Sequence, residues 1–226
     1  MIHYHGTPIT PKAVLQTLHG KHFCVSFARP DNVEACHKIG QSVMLDNGAF
    51  SVWRRGYAPD WKAYYEWCNL WLAYASTWAV IPDVIDGTED AQDDLLFQWP
   101  FADRGAPVWH LNEPIERALL LSDQWPLVCW GSASEYAVVG SIPWRRRVEQ
   151  VFTALSKRHR HIPKIHMLRG MKCCEMGLPF YSLDSTDVAR NHARGGSTAR
   201  ERADRWDAQN GPAGYNARPI QQELIA

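Results

Sequence analysis

No stretch of this chain stays apolar for anything near the ~20 residues of a membrane-spanning helix, which excludes such a span from the sequence. Its first residues, Met1-Ile2-His3-Tyr4-His5, lack a basic-then-apolar leader pattern. The expectation is a soluble, cytoplasmic protein with no membrane partner. An excess of one charge is also missing, since 24 Lys plus Arg balance 24 Asp plus Glu. Global attraction is therefore no argument for a nucleic-acid partner, and any basic face must come from how the charges are distributed. The six cysteines, Cys24, Cys36, Cys68, Cys129, Cys173 and Cys174, contain no Cys-x-x-Cys pair. Cys24 and Cys129 lie in strand-like runs, where a free thiol packs as a small apolar group, so neither disulfides nor a zinc site is expected. No internal repeat is visible, and no linker interrupts residues 1–195.

What is present is a core-forming chain. Its 226 residues are 46% apolar, enough for one domain with a sizeable interior. Short apolar runs recur at 2–5, 23–27, 42–45, 78–82, 107–111, 127–130, 164–168 and 180–183. Helical patterns separate them. Pro59-Asp60 looks like a helix start, with Trp61, Tyr64, Tyr65, Cys68 and Leu72 following at helical spacing. Trp144, Val148, Val151, Phe152 and Leu155 form a second stripe behind Ser141 and Pro143. Strand and helix alternating eight times predicts an α/β fold, a compact (β/α)8 TIM barrel over residues 1–195, with an open doubly wound sheet as the alternative. Residues 196–226 read as a polar C-terminal extension, with a helix over 197–207 and a Gly/Pro-containing tail.

Polar residues gather where the strands end. Asp46, Asp83, His110 and Asn112, Gly131 and Ser132, Arg169 and Gly170, and Asp184 all stand at the C-terminal ends of predicted strands. In barrels of this class those ends form one mouth, where catalysis is placed. Structural aspartates that cap helices also occur there, and for a single motif the two readings are even.

The ordered segments Leu45-Asp46-Asn47-Gly48-Ala49-Phe50, Pro82-Asp83-Val84-Ile85-Asp86-Gly87, Trp130-Gly131-Ser132, His166-Met167-Leu168-Arg169-Gly170 and Leu183-Asp184-Ser185-Thr186-Asp187-Val188-Ala189-Arg190-Asn191 resemble the tRNA-guanine transglycosylase superfamily. The likeness runs from about Ser42 to Gly196 and is greatest to short phage-type members acting on DNA. The family's Asp-Ser-Gly-Gly-Phe motif is matched at Asp46 to Phe50 with two departures. Its Phe-Asp-x-x-x-Pro-Thr-Arg motif is matched at Leu183, Asp184 and Arg190, with Val188-Ala189 in place of Pro-Thr. Its zinc motif, Cys-x-Cys-x-x-Cys with a later histidine, is missing, and Cys173-Cys174 has the wrong spacing. The resemblance implies a barrel that replaces guanine in a nucleic acid with a 7-deazaguanine base, using no metal and no cofactor. Without the zinc motif, and with little chain after the last motif, DNA is the expected partner and transfer RNA the alternative.

The chemistry suits carboxylates. Exchange with retention at C1′ needs two displacements, hence a carboxylate that forms a glycosyl ester. By resemblance that nucleophile is Asp184, and Asp46 shuttles the proton, its rival role being a turn aspartate bonding the amides of Gly48 and Ala49. Asp83 matches the family's recognition aspartate, which takes the N1-H and N2-H2 donors of guanine. Asp86 either shares that role or caps the helix starting near Gly87 and Thr88, the reading preferred here. The amides of Gly131 and Ser132 would serve guanine O6, and Phe50 with Met167 would sandwich the base, although a phenylalanine after a strand also serves as plain core. His110 and Asn112 either reach the base or, for the histidine, find a backbone partner.

Basic groups cluster at Arg145-Arg146-Arg147, at Lys157-Arg158-His159-Arg160, and at Arg190, Arg194, Arg200, Arg202 and Arg205. Charge runs usually solvate helix faces, and the second cluster also suits a helix C-terminus. Arg190 and Arg194, close to Asp184, are the expected phosphate contacts. The eleven tryptophans offer stacking surface, most of it expected in the core. Two other classes stay open: a (β/α)8 glycoside hydrolase or N-glycosidase using the same carboxylates, and a non-catalytic nucleic-acid-binding barrel.

Overall fold

A computed structural model describes residues 1–215. Nine strands form one sheet in which every pairing is parallel: β1 (Ile2–Gly6), β2 (His22–Ser26), β3 (Ser42–Asp46), β4 (Thr77–Val80), β5 (Gly105–Ala106), β6 (Val108–His110), β7 (Val128–Gly131), β8 (Ile165–Met167) and β9 (Ser182–Ser185). Their order is β5-β4-β3-β2-β1-β9-β8-β7-β6. The two outermost members, β5 and β6, are separated in the chain by Pro107 alone, so the edges of the sheet meet and the sheet is a nearly closed, barrel-like ring. The Pro107 carbonyl accepts from the Cys129 amide, and the Ala106 carbonyl from the Ile81 amide, tying this segment to both neighbours. Each apolar run read as a strand overlaps an observed one; the run at 107–111 corresponds to β6, and the two-residue β5 just before Pro107 is not among the expected strands.

Helices cover the outside, where they were expected. They are α1 (Lys12–Gln16), α2 (Val33–Ile39), α3 (Ala49–Trp53), α4 (Trp61–Trp71), α5 (Glu89–Phe97), α6 (Ile115–Gln124), α7 (Ile142–Arg158), α8 (Asp187–Asn191) and α9 (Ala199–Asp207) among the described residues. Asp60 caps α4 by accepting from the Ala63 amide, and Ser141 caps α7 with proline in its first turn. Thr198 and Glu201 form a reciprocal capping box on α9. Asp86 caps nothing. Thr88 caps α5, and Asp86 instead accepts from Trp53 Nε1 at 2.8 Å.

The period-two alternation of the strands decides what faces where. Tyr4, Cys24, Met44, Val80, Ala106, Val108 and Cys129 point inward and make a small cluster built only of strand residues. Their neighbours, such as Phe23, Val25, Val43 and Leu45 on one side and Trp109, Val128, Trp130 and Met167 on the other, point outward into two large cores shared with the helices. All six cysteines are free and buried. Residues of the same inward parity at the strand ends, Asp46, His110, Gly131 and Asp184, therefore converge on the mouth.

Helix α9 belongs to the same body. Ala199 and Ala203 are buried in the first outer core, and Lys21 pairs with Asp204 at 2.5 Å and also with Asp207. The tail read from sequence continues past residue 215, outside the described residues.

Among the described residues no helix is long and apolar enough to cross a membrane.

Candidate active site

The C-terminal ends of the strands open into a cavity of about 1020 Å³. Its lining includes Asp46, Asp83, Asp184, Phe50, His110, Gly131, Ser132 and Arg190. Eight of the eleven residues singled out in the sequence thus share one cavity: seven from the ends of five strands, β3, β4, β6, β7 and β9, and Arg190 from α8.

Three expected members are elsewhere. Met167 is fully buried in the outer core because β8 alternates: His166 points into the ring, Met167 away from it, and Leu168 again toward the cavity. The face of Phe50 is covered not by methionine but by Arg169, whose guanidinium carbon lies 3.7 Å from the ring centroid. Asn112 is exposed and outside the cavity lining. Arg194 is also exposed and outside it, with its guanidinium 3.4 Å from Asn191 Oδ1.

Asp184 is buried and held by one oxygen only. Its Oδ1 accepts from the Arg169 amide at 2.6 Å and stands 3.2 Å from His166 Nε2, while Oδ2 has no protein partner among the described residues. His166 Nδ1 is in turn 2.8 Å from Ser182 Oγ, which fixes the ring. Arg169 delivers its amide from a left-handed backbone conformation, φ +56°, that a long side chain rarely adopts and that tends to persist at functional sites. A carboxylate anchored through one oxygen leaves the other oriented toward the cavity.

Asp83, also buried, is anchored on both sides. Oδ1 accepts from Asn47 Nδ2 at 2.7 Å, and Oδ2 lies 2.9 Å from His110 Nε2. Asn47 also donates to the Ile81 carbonyl and accepts from the Ala49 amide, so the bond that was the rival role for Asp46 at Ala49 belongs to Asn47. A carboxylate has about four lone-pair sites, so each oxygen of Asp83 can still accept from a ligand. Burial lowers the pKa of His110, but the hydrogen bond and charge of Asp83, with Glu113 behind it, more than offset this and leave it raised. The ring finds a carboxylate rather than a backbone group. Its Nδ1 is buried with no partner among the described residues and is available to a ligand.

Asp46 is half-buried on the cavity wall. Desolvation, with the charges of Asp184 and Asp83 added, raises its pKa to about 6 against the opposing influence of the nearby Ser26 hydroxyl and Gly48 amide. A carboxyl group that is half-protonated near pH 6 can both give and take a proton.

Gly131 is required by a close approach. A Cβ there would sit 2.7 Å from His110 Nδ1. Gly131→Ala is expected to push the imidazole off Asp83 and weaken ligand binding about tenfold, the scale of one lost charge-assisted hydrogen bond. Ligand titration, with the imidazole followed by NMR, checks this.

Several members of the other basic runs serve the scaffold. Arg147 donates to the carbonyls of Leu111 and Glu113 and lies over Trp109, and Arg158 pairs with Asp123. Arg202 and Trp206 both donate to Asp187 Oδ2, bracing α9 against α8. Sequence reasoning gave no role to His166, Asn47 or Arg169. Inward parity with Asp184 is the signal that finds His166, whereas no local pattern announces the stacking of Arg169 on Phe50. In comparisons with protein families, curated proteins and solved structures, the chain matches no family model, no curated protein and no solved structure.

Proposed function

We propose that this protein is a base-exchange transglycosylase that replaces guanine in DNA with a 7-deazaguanine derivative through a glycosyl ester on Asp184. The observation that carries the reading is the convergence of three carboxylates with different tethering on one cavity wall: Asp184 with a free oxygen, Asp46 with a raised pKa, Asp83 doubly anchored. We also read the ring as a (β/α)8 barrel without the zinc subdomain, with Gly105 to His110 counted as one strand kinked at Pro107.

In this mechanism Asp184 Oδ2 attacks C1′ of a flipped deoxyguanosine and the glycosidic bond breaks, leaving a deoxyribosyl ester and a guanine anion. Protonated Asp46 gives its proton to the departing base. The incoming 7-deazaguanine loses its N9 proton to the same carboxylate, and its nitrogen displaces Asp184, restoring the original configuration and the intact strand. Asp83 accepts from the N1 and N2 donors of both bases, and Gly131 and Ser132 face O6. Neither a metal nor a cofactor enters any step.

The test is incorporation of labelled guanine. Protein incubated with radiolabelled guanine and single-stranded DNA should transfer label into the DNA, and unlabelled 7-deazaguanine should chase it out. Transfer RNA under the same conditions should take up little. Preferential labelling of transfer RNA would overturn the choice of DNA, and base release with no incorporation would point to an N-glycosidase.

A further inference from the structure

We infer that one half of the mouth is a landing track for a single nucleic-acid strand, running from Arg190 past Arg29 to Arg54, Arg55 and the exposed rings of Trp53 and Tyr57. The inference rests on the base-exchange reading for its choice of polyanion and adds where the strand lies.

Topology supplies the path. Arg190 follows β9, Arg29 follows β2, and Arg54 and Arg55 follow β3, while β9, β1, β2 and β3 are consecutive in the sheet. All four arginines line the cavity and are exposed. Arg54, Arg55 and Arg190 have no carboxylate partner among the described residues, and Arg29 has only the exposed Asp31 at 3.4 Å, a pair of little strength. A neutral chain thus leaves an arc of unspent positive charge directly above an acidic floor. A ligand with anionic groups outside and hydrogen-bond donors inside fits both layers, and a strand with one base turned into the cavity has that form.

Aromatic rings continue the arc outward. Phe50 lines the cavity wall, and the Trp53 ring lies 5.7 Å from it, half exposed. Tyr57, farther along the chain, is 71% exposed. Trp53 is held by its bond to Asp86. The segment is locked by a Schellman motif, in which the Tyr57 amide donates to the Val52 carbonyl and the Gly56 amide to that of Trp53, with Gly56 at φ +70°. A fixed platform of basic and aromatic groups binds unpaired bases by stacking and phosphates by charge. Duplex bases, already stacked, cannot use the rings.

The experiment is fluorescence polarisation of a guanine-free, fluorescein-labelled DNA strand of about 12 nucleotides, within the usual span of such sites, so that the track is read without base exchange. Arg54→Ala/Arg55→Ala should weaken binding at least tenfold at low salt, and its salt slope should be shallower by about 1.4, the value for two lost single-strand phosphate contacts. Tyr57→Ala should weaken binding about fivefold or more with the slope unchanged, since stacking is worth at least ~1 kcal/mol per base. Lys62→Ala/Lys157→Ala, on α4 and α7, is the control and should bind as wild type. Equal loss in the control, no loss in the arginine variant, or equally tight binding of duplex DNA, polyglutamate or anionic vesicles would overturn the track. If exchange fails while the track variants behave as expected, the base-exchange reading falls alone. If exchange succeeds and the variants bind as wild type, the track falls alone.

Discussion

Asp184→Ala should remove base exchange by at least ~10⁴-fold, the scale set by deleting a covalent nucleophile, while the protein still folds. Only Oδ1 of this carboxylate is engaged by the protein, by the Arg169 amide and beside His166 Nε2, so few native contacts depend on the side chain. In the proposed exchange the free Oδ2 is the attacking atom. Asp184→Asn sharpens the point, because its carbonyl oxygen can keep the Arg169 bond although an amide cannot form the ester. Both variants should show wild-type circular dichroism and still bind guanine through Asp83. Exchange by the alanine variant within tenfold of wild type would remove Asp184 from the mechanism.

Asp46→Asn should slow the chemical step and at the same time stabilise the fold. The raised pKa means that the folded state binds the Asp46 proton more tightly than the unfolded chain, where the group titrates near 4. Between pH 4 and about 6 the folded form therefore carries the extra proton, and stability falls as pH rises through that window. Above about 6 the full cost of the ionised group is present, on the order of 3 kcal/mol for a shift of about two units. Asparagine carries no charge and escapes that cost. Its unfolding midpoint in denaturant should exceed that of wild type at pH 7.5, and the two should converge at pH 4. Wild-type exchange should show a limb with an apparent pKa near 6 that the variant lacks. A variant no more stable at pH 7.5, with the limb retained, would assign the titration to another group.

The positions of the strands were legible because a parallel ring buries both faces of every strand and leaves short apolar runs between helices. Most of the cavity followed from asking which polar residue ends each run. Met167 shows the limit of that question. His166, Met167 and Leu168 all lie at the end of β8, and only strict alternation from the inward His166 turns Met167 into the core and Leu168 toward the mouth. The interruption at Pro107 was equally present in the sequence, since proline cannot donate to a ladder. Three features were not local at all. Arg169 reaches Phe50 across the cavity, Asn47 reaches Asp83 across the β3–β4 boundary, and Arg202 with Trp206 grips Asp187 from α9. Arg202 reads as one more member of a basic cluster in the sequence, whereas its partner in space, Asp187, is acidic.

The most direct test of the proposed exchange is to quench the protein with acid during incubation with a short guanine-containing DNA strand, digest both components, and map the protein by mass spectrometry. The account predicts a deoxyribosyl adduct on the peptide carrying Asp184, absent from Asp184→Asn and lost when 7-deazaguanine is added before the quench. Turnover with no adduct on any carboxylate, or an adduct on Asp46 instead, would contradict it.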